Sequence, residues 1–114
     1  MNHFHIWCSL REGTAEREFA DEAQELLADL HARELCEGFI ISRRKFVFVP
    51  PDLGRFHITV EFASLPQMQR AFAFVEAQGT ETPSLYERLT GAVRDLRTAL
   101  YRDYPEPQRK PTAP

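Results

Sequence analysis

The segment FHITVEF, residues Phe56–Phe62, gives the clearest indication of the fold of this chain. Apolar and polar residues alternate strictly along it, so the two sets of side chains point in opposite directions. The apolar set is Phe56, Ile58, Val60 and Phe62, and the polar set is His57, Thr59 and Glu61. This period of two predicts a β-strand, and its β-branched content suits a central strand that packs against helices. The polar face carries the side chains that are candidates for function.

The N-terminal segment NHFHIWCSL, residues Asn2–Leu10, shows the same division. One of its sides carries Phe4, Ile6, Cys8 and Leu10, and the other carries His3, His5, Trp7 and Ser9. Two strands with one shared pattern are expected to lie in one sheet, with their histidines on a common side. No motif in the chain specifies a reaction, so the sequence locates a candidate site and leaves its chemistry open.

Helical spacing marks three further segments of the chain. It predicts helices over about residues 15–33, from the capping residue Ser64 onward, and from Ser84 through Leu100. Between the first two helices, apolar residues after Gly38 and a proline-rich turn predict a hairpin that leads into the central strand. A short strand over residues 99–104 is an alternative for the end of the chain. The helical period continues through that stretch and favours the helix.

The resulting order, β-α-β-β-α-α, predicts an α+β fold with a ferredoxin-like β-α-β-β-α core. The third strand is expected between the first and the second, with both crossover helices on one side of the sheet. An additional C-terminal helix replaces the usual fourth strand. We expect one domain over residues 1–104, followed by a flexible, proline-rich tail over residues 105–114.

Composition narrows the classes of partner. The chain has 114 residues, a net charge of −3 and a pI near 5.8, which argue against nucleic acid or an anionic membrane as its partner. No apolar run reaches the roughly 20 residues that span a bilayer. The cysteines, Cys8 and Cys36, form no CxxC motif and are expected to be buried free thiols, which fits a reducing cytoplasm. No cofactor is predicted.

The side of the sheet away from the helices would be unusual for a surface exposed to water. It is expected to carry His3, His5, Trp7, His57, Thr59 and Glu61. Trp7 and the apolar residues of the second strand make this side too hydrophobic for a free surface. Packing it on the same side of a second copy would bury it and close two sheets into a barrel-like interior. We therefore predict a homodimer.

Four segments carry a resemblance to known proteins: MNHFHIW at the start, RRK at Arg43–Lys45, PPDLGRFH at Pro50–His57 and ALYRDYP at Ala99–Pro105. They resemble a family of small bacterial proteins, a domain of unknown function, which is similar to the dimeric α/β-barrel group. That group includes cofactor-free monooxygenases, muconolactone-isomerase-like enzymes and stress-response proteins. The resemblance implies a ferredoxin-like fold and a dimer, and gives no activity to carry over.

His5, His57 and Glu61 are the candidate catalytic residues on the predicted polar face. Imidazole titrates near neutral pH, so either histidine can serve as a general base or acid. Trp7 and Thr59 lie on the same face and are candidate substrate-binding residues. A plainer interpretation is that Glu61 pairs with a histidine of the first strand and takes no part in catalysis.

Two weaker candidates complete the set. His3, His5 and His57, with Glu61 as a fourth ligand, form an alternative metal site, because a His-x-His pair on one strand face can chelate. Interfacial, hydrogen-bonded histidines are the plainer interpretation. Arg43 and Arg44 are candidate substrate-binding residues for a carboxylate or phosphate. Basic residues also protect edge strands from pairing with another chain, and we favour that role.

Two classes of function remain open. The first is a small-molecule enzyme of the cofactor-free monooxygenase or isomerase type, with His5 or His57 as the base in a cavity on the sheet face. The second is a non-catalytic homodimer that binds a ligand or another protein. Several titratable groups that face one cavity would favour the enzyme. His31, on a helix, is expected to be an ordinary solvated residue.

Overall fold

The computed structural model describes residues 1–46, 53–78 and 85–105. Its strands are β1 (Asn2–Leu10), β2 (Gly38–Arg43), β3 (Phe56–Phe62) and β4 (Val93–Arg102). Its helices are α1 (Glu16–Ala32), α2 (Leu65–Glu76) and α3 (Leu85–Ala92). None of these helices is both long enough and apolar enough to cross a membrane. Pro50, Pro51 and Asp52 of the predicted turn lie outside the described residues, whereas Leu53 and Gly54 at the end of that turn are described. The predicted tail lies outside them from residue 106 onward.

The four strands form one antiparallel sheet in the order β2-β3-β1-β4. β3 therefore lies between β2 and β1, as the sequence predicted. Its register with β1 runs from the pair Asn2–Phe62 to the pair Cys8–Phe56. β1 and β3 are central strands, whereas β2 and β4 are the two edges. This is the ferredoxin-like α+β fold that the sequence predicted, now with four strands.

The alternation in β3 separates two environments. Phe56, Ile58, Val60 and Phe62 are each at most 6% exposed. They pack with apolar residues of the helices in one core, mainly Phe19, Ala23, Leu26, Leu27, Leu30, Ala71 and Val75. Complete burial of a large apolar side chain contributes about 1.5–3 kcal/mol. The helices thus cover the side of the sheet that the strand pattern predicted.

The buried residue Gln67 fixes the start of α2 through its backbone and its side chain. The amide of Gln67 donates to the hydroxyl of Ser64 at 3.2 Å, the predicted capping contact. The Gln67 side-chain oxygen accepts from the amide of Ala63 at 2.7 Å, and its nitrogen donates to the carboxylate of Glu37 at 2.7 Å. That nitrogen also donates to the Glu34 carbonyl at 3.1 Å. Because Gln67 is 5% exposed, these bonds tie α2 to the segment between α1 and β2 away from water.

The C-terminal segment corrects the prediction. The sequence predicted a helix from Ser84 through Leu100, whereas α3 ends at Ala92 and β4 takes Val93–Arg102. β4 pairs with β1 from Asn2–Arg102 to Leu10–Val93, so the fourth strand that the prediction omitted is present. The alternative strand over residues 99–104 was closer to the observed structure, although it was too short.

A β-bulge explains why β4 resembles a helix in the sequence. Trp7 pairs with Arg97 and Ser9 pairs with Arg94, so β4 has one more residue than β1 between these pairs. The extra residue is accommodated at Asp95, whose φ of 56° lies in the left-handed region that aspartate tolerates better than most residues. The Asp95 carboxylate accepts from the Arg94 guanidinium at 3.1 Å.

The bulge also changes the spacing of the buried side of β4. In an uninterrupted strand, residues on one side are two apart. With one inserted residue, Val93 and Leu96 lie on the helix side although they are three apart. Leu100 lies on the same side, four residues further on. The spacing i, i+3, i+7 is that of one face of a helix, and the tertiary pairing with β1 overrides it.

Candidate functional site

The side of the sheet away from the helices is open, and we call it the open face. Its residues include His3, His5 and Trp7 of β1, His57, Thr59 and Glu61 of β3, Ile40 of β2, and Arg97, Ala99 and Tyr101 of β4. All six residues that the alternation placed on a common side are therefore on one surface. Ile40 is 60% exposed and Tyr101 is 59% exposed, so apolar surface faces outward among the polar groups.

His5 and His57 form a hydrogen-bonded pair at the centre of this face. The Nδ1 atom of His5 lies 2.9 Å from Nε2 of His57, and the two rings are within 8° of parallel. A neutral imidazole has one N–H and one lone pair, so one ring donates to the other. The hydroxyl of Thr59 lies 3.4 Å from the same His57 nitrogen. Neighbouring strands thus position the two predicted catalytic histidines in direct contact.

The electrostatic environment keeps the pair neutral. Partial burial is the main cause that lowers the pKa of each histidine, because it disfavours the charged form. Repulsion from His3 adds to the effect on the pKa of His5, and repulsion from His5 adds to that of His57. Both rings are therefore uncharged near pH 7, and a free lone pair is available to accept a proton from a ligand.

Aromatic rings surround the histidine pair. The ring centre of Trp7 lies 5.0 Å from that of His57, and the two planes differ by 6°. Tyr101 meets His5 edge to face at 4.9 Å. The sequence predicted the position of Trp7 and missed Tyr101, because Tyr101 was assigned beyond a helix rather than to a strand beside β1. The signal that could have found it is the alternation of Arg97, Ala99 and Tyr101.

Glu61 lies on the same face but contacts a different histidine. Its carboxylate is 3.2 Å from Nδ1 of His3, and Nε2 of His3 is 2.7 Å from the carboxylate of Asp103. Asp103 also pairs with the amino group of Met1 at 3.1 Å. Hydrogen bonds from His3 and from the amino terminus lower the pKa of Asp103. These contacts join the ends of β1 and β4, and Glu61 pairs with a β1 histidine, as the plainer interpretation held.

The alternative metal site is not formed. Among the residues that the structure describes, no group of three histidine, cysteine, aspartate or glutamate side chains is arranged to hold a metal ion. His3 contacts two carboxylates, whereas His5 and His57 contact each other.

Arg43 and Arg44 lie at the end of β2. Arg43 pairs in register with Phe56, and its guanidinium lies 2.6 Å from the carboxylate of Glu16 at the start of α1. The amide of Arg44 continues the ladder by donating to the carbonyl of Arg55 at 2.7 Å. β2 is an edge strand, so basic residues here fit the protective role. The structure does not bring Arg43 to the histidine pair.

A cleft of about 340 Å³ lies on the opposite side of the sheet, between the helices and strands β1 and β4. Its walls include Phe4, Ile6, Phe19, Leu27, Phe72, Tyr86, Leu89 and Leu96. Burial raises the pKa of Cys8, in the cleft wall, to about 11, so this thiol stays protonated and apolar at neutral pH. A volume of this size with mostly apolar walls is typical of a small-molecule site.

The sequence predicted a cavity on the sheet face and contains no pattern that indicates this helix-side cleft. The cleft depends on where β4 lies. Leu96 and Leu100 of this edge strand are 55% and 44% exposed on the helix side, because the helices cover the central strands more fully. The sequence predicted these two residues in a helix, and a helix there would not form this wall of the cleft.

Several solved structures share this ferredoxin-like architecture. A protein from Arabidopsis thaliana matches with a TM-score of 0.70 at 13% identity, covering 90% of this chain and 95% of that protein. SnoaB, a cofactor-independent oxygenase from Streptomyces nogalater, matches with a TM-score of 0.63 at 13% identity, covering 92% and 97%. A dimeric protein of unknown function from Bacteroides fragilis matches with a TM-score of 0.56 at 13% identity, covering 88% and 93%. At these identities the likeness shows the fold alone.

The sequence itself identifies the family. It matches the family of unknown function DUF6614 over residues 1–113, and the chain belongs to that family. A comparison with curated proteins finds no match. The class is therefore a ferredoxin-like α+β protein whose structural relatives include dimeric proteins and antibiotic-biosynthesis monooxygenases.

Proposed function

We propose that this protein is a homodimer that binds a small organic molecule in the helix-side cleft and acts on it without a metal or cofactor. The observation that carries the proposal is the cleft itself, with its volume of about 340 Å³ and its largely apolar walls. The shared fold with a cofactor-independent oxygenase supports the choice of chemistry. The proposed reaction is a monooxygenation or an isomerisation.

The open face supports the homodimer. It combines the half-buried Trp7 with the exposed side chains of Ile40 and Tyr101 and with two neutral histidines. Glu61, a charged residue of this face, pairs with His3 within it. A surface of this kind is better buried against a copy of itself than left in water. Dimeric proteins among the structural relatives agree with this arrangement.

The dimer is tested by light scattering at micromolar concentration. The wild-type chain should show twice the mass of one copy, and Trp7→Lys should shift it to a monomer, because the introduced charge would be desolvated beside the like charge of its cross-strand neighbour Arg97. Leu65→Lys is the matched control, since Leu65 is 37% exposed on α2, away from the open face. A monomeric wild-type protein would overturn this part of the proposal.

Ligand binding is tested by filling the cleft. Thr90 lines the cleft from α3, so Thr90→Trp should place an indole there and weaken binding of 2-naphthol by at least about tenfold. Gly91→Trp is the matched control, because a Cβ atom at Gly91 meets nothing within 4 Å. Calorimetric titration measures both. If the wild-type chain binds no apolar ring compound, the proposed function is wrong.

The histidine pair supports a second candidate, which places the chemistry on the open face. In this version His5 or His57 removes a proton from a substrate held beside Trp7 and Thr59, in a space closed by the partner subunit. The specific observation is the 2.9 Å contact between the two rings, which gives a neutral base with a neighbour to share its proton. Glu61 would then act only indirectly, through His3.

Deuterium exchange separates the two candidates. Incubation with 2-tetralone in D₂O reports removal of the proton next to its carbonyl, a step that a histidine base would catalyse. If the second candidate is right, His57→Ala should abolish enzyme-catalysed exchange while leaving the thermal unfolding temperature nearly unchanged. His31→Ala should leave both the exchange and the unfolding temperature unchanged, since His31 is exposed on α1. Exchange that persists in His57→Ala and fails in Thr90→Trp would place the chemistry in the helix-side cleft.

The same assays address the alternative of a non-catalytic dimer. Binding of 2-naphthol without turnover of any ring compound, by exchange or by oxygen uptake, would favour a binding protein over an enzyme. A cytoplasmic location is part of the proposal and agrees with the two free, buried cysteines, Cys8 and Cys36.

A further inference from the structure

We infer that the helix-side cleft selects neutral ring compounds that carry a hydroxyl group, and that Glu76 imposes this selection. The inference rests on the proposed function, because it names the class of ligand for the same cleft. It assigns to Glu76, at the end of α2, a role in specificity that the strand and helix patterns of the sequence do not indicate.

Among the described residues that line the cleft, Glu76 is the one that carries a charge. Within the described part of the chain, its carboxylate makes no hydrogen bond and no ion pair. Two other helix carboxylates contrast with it: Glu16 pairs with Arg43 at 2.6 Å, and Glu22 pairs with Arg88 at 3.1 Å. Glu76 therefore has its full capacity to accept a hydrogen bond from a ligand.

Two hydroxyl groups extend this polar side of the cleft. Tyr86 on α3 and Thr98 on β4 line the cleft, and neither hydroxyl has a hydrogen-bond partner among the described residues. Thr90, a third hydroxyl group in the described wall, donates to the carbonyl of Glu87 within α3. A ligand with a single polar substituent can therefore meet a carboxylate or a free hydroxyl while its body lies against apolar walls.

The walls favour a planar ring for that body. Phe4 and Phe72 meet edge to face with their ring centres 5.4 Å apart, and both line the cleft. Phe19 and Tyr86 contribute two further rings to the wall. Aromatic side chains pack with a planar ligand in stacked or edge-to-face geometry, and bury a large area of it.

The charge of Glu76 then separates ligands of the same shape. A hydroxyl group donates a charge-assisted hydrogen bond to the carboxylate, which is stronger than a bond between neutral groups. A ligand carboxylate has no proton to donate, is repelled by the like charge of Glu76, and must give up its own hydration to enter an apolar cleft. An ammonium group is attracted to the Glu76 carboxylate, but it must lose its hydration shell to enter the apolar cleft. Because Glu76 is exposed, its attraction is screened by water and does not offset that loss.

Three naphthalene compounds of similar size test the inference at pH 7 with the full chain: 2-naphthol, 2-naphthoic acid and 2-(aminomethyl)naphthalene. Calorimetric titration should show wild-type binding of 2-naphthol at least about tenfold tighter than that of the other two. In Glu76→Gln the preference over 2-naphthoic acid should fall to about threefold or less, because the repulsion is removed. Glu25→Gln removes one charge from the exposed side of α1, and should retain the wild-type preference.

Each other result contradicts the inference. Equal binding of 2-naphthol and 2-naphthoic acid by the wild-type chain, or an unchanged preference in Glu76→Gln, removes the role of Glu76 and leaves ligand binding intact. Tightest binding of the amine would replace the neutral class by a cationic one. If the wild-type chain binds none of the three compounds, the proposed function fails together with the inference. Circular dichroism shows that Glu76→Gln is folded before its preference is compared.

Discussion

The two sides of the sheet are built from alternate residues of the same strands, yet they have different roles. On the helix side, residues of β3 such as Phe62, 1% exposed, complete the core. On the open face, neighbours such as Glu61 and His57 are half-buried and contact other polar groups. Because successive side chains of a strand point in opposite directions, one position along the chain separates core from candidate site.

The comparison also separates two kinds of incomplete packing. The helix side is closed over β3 and open beside β4, which leaves a cleft of about 340 Å³. The open face carries aromatic rings, with Trp7 and Tyr101 beside the histidine pair. A cleft suits a small molecule, whereas an aromatic sheet surface suits another sheet. One protein thus has a surface for each of the two interactions that we propose.

The largest effect is expected from adjacent residues of β3 on opposite sides. Phe62→Ala should lower the free energy of unfolding by about 3–5 kcal/mol, because it leaves a cavity in the core. Glu61→Ala should lower it by no more than about 1 kcal/mol, since Glu61 makes a partly exposed ion pair. Urea denaturation measures both. Similar losses in the two variants would contradict the assignment of the two sides.

A polar residue on the helix side should matter next. Gln67→Ala should lower the free energy of unfolding by about 1–3 kcal/mol, because it leaves buried partners without hydrogen bonds. Gln69→Ala on the exposed side of the same helix is the control, with an expected change within about 0.5 kcal/mol. A loss for Gln69→Ala as large as that for Gln67→Ala would contradict this account of the start of α2.

Acid should weaken the open face before the core. The pKa values of His5 and His57 are lowered in the folded chain, so below about pH 6.5 the unfolded chain binds protons first. Stability should therefore be complete above that pH and fall as the pH drops through the lowered pKa values. His57→Gln should flatten the pH dependence of the urea midpoint, and His31→Gln should leave it unchanged. A midpoint that rises on acidification would contradict the direction of these shifts.

The smallest effect is expected from the C-terminal end of the chain, because its sequence predicts no residue on either side of the sheet. Residues 106–114 have a proline-rich, polar composition with no strand or helix period. Their deletion should change the thermal unfolding temperature by no more than about 2 °C. A drop of many degrees would mean that this segment packs on the domain or on a second copy.

The sequence determined the two central strands and the side of the sheet on which His5 and His57 lie. The alternation in Asn2–Leu10 and Phe56–Phe62 is a direct consequence of strand geometry, in which every second side chain points to the same side. Matching alternation limits the pairing to registers, two residues apart, that bury both apolar sets on one side. His5 and His57 were therefore predictable as residues of one face, whereas their 2.9 Å contact follows from the observed register, which pairs Trp7 with His57 and His5 with Thr59.

Only the tertiary structure decided the nature of β4 and the existence of the cleft. Val93, Leu96 and Leu100 have the spacing of a helix, because a bulge at Asp95 inserts one residue into a strand. Hydrogen bonds to the edge of β1 select the strand, and such long-range pairing leaves no trace in local periodicity. The cleft and its charged residue, Glu76, arise from how three helices share the cover of one sheet, which depends on contacts among residues far apart in the sequence.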